Sequence, residues 1–150
     1  MKAIACFNKK LKGFVKFQQK QDYVLVSGEI SGLYKNKLHA IHIHEYGDLT
    51  DGCSSMGGHL NPFNKNHGGR DDKERHVGDL GNIQADDHGI CVFRFRDSII
   101  SLKNNKRNIL GRGLVIHKGT DDCGDGNHKD SLKTGNAGAR LDCAVIGICK

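Results

Sequence analysis

"LHAIHIHEYG", residues 38–47, alternates apolar and polar positions and spends two of the latter on His42 and His44. Successive side chains of a strand turn to opposite faces, so residues i and i+2 share one. The stretch therefore predicts a strand that holds two imidazoles side by side, where Val or Ile would pack better against a core. That pairing suits a metal ion.

The same alternation recurs on either side. "YVLVSGEISGL" (23–33), "GICVFRFRDSIISL" (89–102), "LGRGLVIHKG" (110–119) and "ARLDCAVIGIC" (139–149) all read as strands. In the second of these, Val92, Arg94 and Arg96 fall on one face and Cys91, Phe93 and Phe95 on the other. No helical periodicity extends over about 12 residues or more. Short strands separated by glycine-rich turns predict an all-β fold, a sandwich or barrel. A length of 150 residues predicts a single domain, residues 1–150. Residues 48–88 and 118–138 are rich in Gly, Asn and Asp and carry little strand signal, so they read as two long loops. Loops that long in a compact domain are commonly functional.

Composition excludes several classes. The net charge is +6, but no block of five or six basic residues is present, which argues against a nucleic-acid-binding tail. No apolar run reaches the roughly 18 residues of a membrane helix, and "MKAIACFNKK" is too weakly apolar for a secretory leader. The expectation is a soluble, cytoplasmic protein that binds neither nucleic acid nor membrane. The six cysteines include no CxxC pair, so a zinc finger is not indicated. Cys6 and Cys91 read as core-facing, and Cys123 and Cys149 as free thiols open to oxidation.

Nine histidines carry the functional signal. After His42 and His44 come His59, His67, His76 and Asp79 along one loop, at gaps of 8, 9 and 3 residues, and His117 ends a later strand. Nitrogen ligands with one carboxylate match tetrahedral zinc, and an all-imidazole set suits copper equally. The chain has enough ligands for two ions. A protein that uses zinc only to fold would account for His67, His76 and Asp79, but not for His42, His44 and His117. His88 and His128 read as ordinary polar residues.

Four stretches carry a resemblance: "HIHEYGD", "GGHLNPFNKNHGG", "ERHVGDLGNI" and "KTGNAGARLDCAVIGI". In order and over nearly the whole chain, they resemble the copper/zinc superoxide dismutase family. The resemblance implies an eight-stranded Greek-key sandwich or barrel with two functional loops. It implies one copper ion per subunit on His42, His44, His59 and His117, and one zinc ion on His59, His67, His76 and Asp79. His59 would bridge the two. Arg140 would hold the superoxide anion, and Lys133 and Thr134 would help guide it. Asp121 would link a copper-ligand histidine to a zinc-ligand one, Cys53 and Cys143 would form a disulfide, and His39 would be structural. Lys129 and Asp130 stand where the family commonly carries two acidic residues, which leaves the anion path more positive. The resemblance further implies a homodimer meeting through "YG" (46–47), "LG" (110–111) and "IGI" (146–148), and copper supplied by a chaperone.

Overall fold

The computed structural model describes all 150 residues. Two antiparallel sheets face each other. The first holds β1 (Lys2–Asn8), β2 (Lys12–Gln19), β3 (Val24–Ser31), β7 (Cys91–Asp97) and β10 (Gly147–Cys149), in the order β10-β1-β2-β3-β7. The second holds β4 (Leu38–His44), β6 (Asp79–Gln84), β8 (Gly113–His117) and β9 (Arg140–Val145), in the order β6-β4-β8-β9. β9 and β10 are separated only by Ile146, so one strand changes sheet at that residue and eight principal strands result. A short strand, β5 (Thr50–Cys53), a turn of 3-10 helix (Ser54–Met56) and one short α-helix, α1 (Ser131–Thr134), belong to the loops. The sheets form an open sandwich and do not close into a barrel. No helix is long and apolar enough to cross a membrane.

Alternation builds the core. Ala3, Ala5, Phe7, Val15, Phe17, Val26 and Ile30 from the first sheet meet Ile41, Ile43, Leu114 and Ile116 from the second, all buried. Each of the Val, Leu, Ile and Phe side chains contributes about 1.5–3 kcal/mol on burial. β4 is buried on both faces. Ile41 and Ile43 point into the core, while Ala40, His42 and His44 point outward and are covered by the loops. The histidines therefore occupy the strand face that is not the hydrophobic core.

Four strands lie outside those read from the sequence. β1 and β2 alternate too, but their outward residues (Lys2, Lys12, Lys16) dilute the apolar signal. β6 falls inside the stretch 48–88 expected to be loop, and β5 does as well; Gly81 and Asn82 mask the β6 pattern. Gly81 has φ +77° and accompanies a register shift against β4: Ala40 pairs Asn82, whereas His42 pairs Asp79. A bulge of this kind re-aims side chains, and here it brings a carboxylate opposite a histidine. Cys6 corrects another expectation. It lies on the outer face of β1 and is exposed, whereas Cys91 is buried as expected.

Candidate metal centre

On the outer face of the second sheet, β4 supplies His42 and His44 and the end of β8 supplies His117. A register shift between Ile116 and His117 turns the last of these toward the other two. His59 joins by a bridge to His44. Ring centroids lie 4.0 Å apart for His42–His59, 4.9 Å for His42–His117 and 5.0 Å for His44–His59.

Each β-strand imidazole has one nitrogen committed and one free. His42 Nε2 donates to Asp121 Oδ2 at 2.7 Å, His44 Nδ1 to the Gly57 carbonyl at 2.9 Å, and His117 Nδ1 to the Gly138 carbonyl at 3.1 Å. The opposite atoms, His42 Nδ1, His44 Nε2 and His117 Nε2, are buried without a partner. Buried polar atoms are rarely left unpaired, and a committed N–H behind a free lone pair is the arrangement of metal-ligating histidine. Burial pushes His42 down to about 3, His44 to about 2 and His117 to about 4. All three are thus neutral lone-pair donors at pH 7, and with His59 they offer ligand atoms within 4.8 Å of one another.

A second cluster lies on the other side of the His59 ring. Asp79 Oδ1 is 2.9 Å from His59 Nδ1, 3.0 Å from His67 Nδ1 and 3.1 Å from His76 Nδ1; the last is 3.2 Å from His59 Nδ1. Ligands about 2.0–2.1 Å from a tetrahedral zinc ion would sit about 3.3–3.4 Å apart, so the cluster is close to the size of such a site. His67 Nδ1 faces Asp79 Oδ1 out of line for a hydrogen bond, as two ligands of one ion do. His42 also lies within 4.8 Å of this group, but its Nε2 is held by Asp121, so His76 is the better fourth member.

The carboxylate is fixed by backbone donors: Asp79 Oδ2 accepts from the amides of Gly68 (3.1 Å) and His76 (2.8 Å). Burial would raise the Asp79 pKa, but hydrogen bonds from His59 and His76 and the close approach of His67 outweigh it and hold the group far below the usual carboxylate range. Burial would likewise lower His67, yet its hydrogen bond to Asp121 and the facing carboxylate of Asp79 bring it up to about 9. The metal-free cluster thus holds a proton on His67, beside the ionised Asp79, that a metal ion would displace.

Asp121 joins the two clusters, with Oδ2 on His42 and Oδ1 on His67 Nε2, both at 2.7 Å. Two groups absent from the sequence reading hold it there. Asn82 on β6 grips the Asp121 backbone through both ends of its amide, at 2.7 and 2.9 Å. Gly135, with φ +71°, leaves room that a Cβ would fill, 2.0 Å from Asp121 Oδ1 and 2.5 Å from His67 Nε2. Left-handed glycine after a short helix was the available signal for it; Asn82 offered none.

A cavity of about 300 Å³ opens beside His44, His59 and His117 and is also lined by Asp130, Lys133, Thr134 and Arg140. Arg140 is clamped by the carbonyls of Cys53 and Gly57. The Cys53–Cys143 disulfide, spanning 90 positions, ties the first of these carbonyls to β9. A larger cavity of about 660 Å³, on the other side of Arg140, contains no histidine and so cannot host the same chemistry. His39 is buried and bonded to the His117 carbonyl and the Tyr34 amide, while His88 is exposed.

Residues 11–146 match the family model "Copper/zinc superoxide dismutase". The chain is 53% identical to a Cu-Zn superoxide dismutase of Paramecium bursaria Chlorella virus 1, over 99% of this chain and 79% of that protein. It is 48% identical to one of Yarrowia lipolytica, over 99% and 98%. A solved structure titled as that of the clock protein EA4 superposes with TM-score 0.94 at 44% identity, covering 99% of this chain and 94% of that one.

Proposed function

Because the chain belongs to the copper/zinc superoxide dismutase family and disproportionates superoxide to oxygen and hydrogen peroxide, we propose that its residues divide the work as follows. His42, His44, His59 and His117 hold copper, and His59, His67, His76 and Asp79 hold zinc. When bound, copper supplies a one-electron couple between two oxidation states, and zinc, which is redox-inert, adds charge and holds its ligands in place. Arg140, fixed by two carbonyls, binds the superoxide anion at the cavity wall and excludes larger ones. Lys133 and Thr134 draw it in. His59 holds a proton at Nε2 between the two half-reactions and delivers it to the anion being reduced, while its Nδ1 stays in the Asp79 cluster. Asp121 keeps His42 and His67 in the tautomers that leave their inner nitrogens free.

The observation that carries this reading is the convergence of three partnerless buried imidazole nitrogens on the ring of His59. It is tested by superoxide decay on protein of measured copper and zinc content beside His117→Ala. Loss of turnover with zinc retained is expected. Full turnover in the variant would remove His117 from the copper set.

The same reading extends to assembly and location. Gly47 packs on Gly111, which donates to the Ile146 carbonyl, so the three segments 46–47, 110–111 and 146–148 meet in one patch with Tyr46 and Ile148 exposed. A two-fold homodimer through that patch would cover them. Four free cysteines, one of them exposed, favour a reducing compartment such as the cytoplasm. The deep burial of His42 and His44 favours copper delivery by a protein chaperone rather than by free ion.

A further inference from the structure

The outer face of the first sheet lies away from the metal clusters and is strongly cationic at one end. Strand register stacks its outward residues in rows across the sheet. One row runs Lys2, Gln18, Leu25, Arg96, and the next Ile4, Lys16, Ser27, Arg94. Two grooves follow these rows and share Gln18 and Leu25. One is lined by Lys2 and Lys16, the other by Lys20, Arg94 and Arg96. No acidic side chain lines either groove. The one Lys or Arg ion pair in the chain is Arg75–Asp97, so all five cations are unpaired. Acidic groups nearby are the exposed Asp22 in the β2–β3 turn, Glu29 one row further along, and the terminal carboxylate of Lys150, whose side chain adds a further cation to the Lys2 groove.

We propose that this continuous groove is a docking surface for a linear anionic polysaccharide, sulfated or uronate-bearing. The charge pattern selects the polymer. Strands are about 4.8 Å apart, so Lys16 stands about 10 Å from Arg94 across β3, and Lys2 about 14 Å from Arg96. The floor between the two flanks is uncharged: the Gln18 amide, the Ser27 hydroxyl and the half-buried Leu25. That floor suits sugar hydroxyls and a pyranose face, with anionic groups spaced along the chain rather than one on every unit. Bases of a single-stranded nucleic acid need bare aromatic faces, but Arg96 covers Tyr23 at 4.9 Å and Lys16 covers Phe14 at 5.2 Å. A lipid surface needs protruding apolar side chains, and Leu25 sits in a concavity.

The metal-loaded full-length protein is titrated at low salt with labelled dextran sulfate of sparse substitution, fewer than one sulfate per sugar, and with neutral dextran of equal length. Binding of the sulfated polymer alone is expected. Lys16→Ser/Arg94→Ser/Arg96→Ser should weaken it about tenfold, three exposed charge contacts being lost. A charge-matched triple on exposed lysines elsewhere, Lys35→Ser/Lys37→Ser/Lys106→Ser, should change it less than about twofold. Superoxide turnover should stay unchanged in both. Lys16→Glu repeats the measurement with one exposed substitution if the groove triple is poorly folded. Equal weakening by the two triples, absence of dextran sulfate binding, or tighter binding of polyphosphate or polyuridylate by the same residues overturns the proposal.

Discussion

Asp121 Oδ2 accepts the Nε2–H of His42 at 2.7 Å, with neither side chain exposed to solvent. The other Asp121 oxygen makes the same contact with His67, so one carboxylate sets the tautomer of a ring in each cluster. Asparagine can accept at one of those positions only. Asp121→Asn should weaken metal binding about 10- to 100-fold, as loss of an outer hydrogen-bond partner does. Chelator competition with copper and with zinc measures the change, and unchanged affinities for both would show that the rings are oriented by packing alone.

Gly135 makes that carboxylate bridge possible. Gly135→Ala places a Cβ 2.0 Å from Asp121 Oδ1 on a residue with φ +71°. The cost should be about 1–3 kcal/mol, seen as a lower melting temperature of the metal-free protein together with weaker zinc retention. Gly138→Ala also sits at positive φ, +75°, but nothing lies within 4 Å of its Cβ, so it should affect stability less and leave zinc binding intact.

Stability of the metal-free protein should peak near pH 6.5. His42, His44 and His117 have folded pKa values pushed down to about 3, 2 and 4, chiefly by burial. Below pH 6.5 the unfolded chain takes protons that the folded one refuses. Stability then falls by up to about 1.4 kcal/mol per pH unit for each group. His67 has the opposite sign. With a folded value of about 9, its contribution is complete below 6.5 and is lost as pH rises through 9. Zinc takes the place of that proton, so the alkaline decline should vanish on zinc loading. Thermal melts from acid to alkaline pH, with and without zinc, test both limbs.

Arg140 lines the cavity beside His44, His59 and His117, where it would meet the anion under the proposed function. Arg140→Ile should lower turnover about 10²-fold, in line with removal of a preorganised donor, at unchanged copper content. Lys133→Gln should act differently, lowering the rate several-fold and flattening its fall with ionic strength, because screening over about 8 Å at 0.15 M already weakens steering. Stopped-flow decay across a salt series separates the two effects.

Cys53→Ser should cost about 4–5 kcal/mol of stability in the chain-entropy account, because the disulfide closes a loop of 90 positions. It also frees the Cys53 carbonyl that holds Arg140. Turnover should fall along with the melting temperature, and a variant with lower stability but full turnover would separate the disulfide from the anion site.

The sequence was most legible where one residue type had to repeat at a fixed period. Alternation in 38–47 marked β4, and the placement of two histidines on one face held because side chains alternate regardless of what packs above them. The residues that gather in the two clusters were legible through resemblance, since metal sites admit few residue types. The sequence did not reveal β6, which glycine and asparagine disguise, or the outward position of Cys6. Nor did it reveal Asn82 and Gly135, because what they do depends on atoms distant in the chain: Asn82 holds Asp121 from 39 positions away, and Gly135 matters only because the Asp121–His67 hydrogen bond passes where its Cβ would be. The sequence by itself determined the β architecture and supplied the side chains that converge in the two clusters. Tertiary structure alone decided which nitrogen of each ring is committed and which is left free, because that choice is made by hydrogen-bond partners that only folding brings within 3 Å.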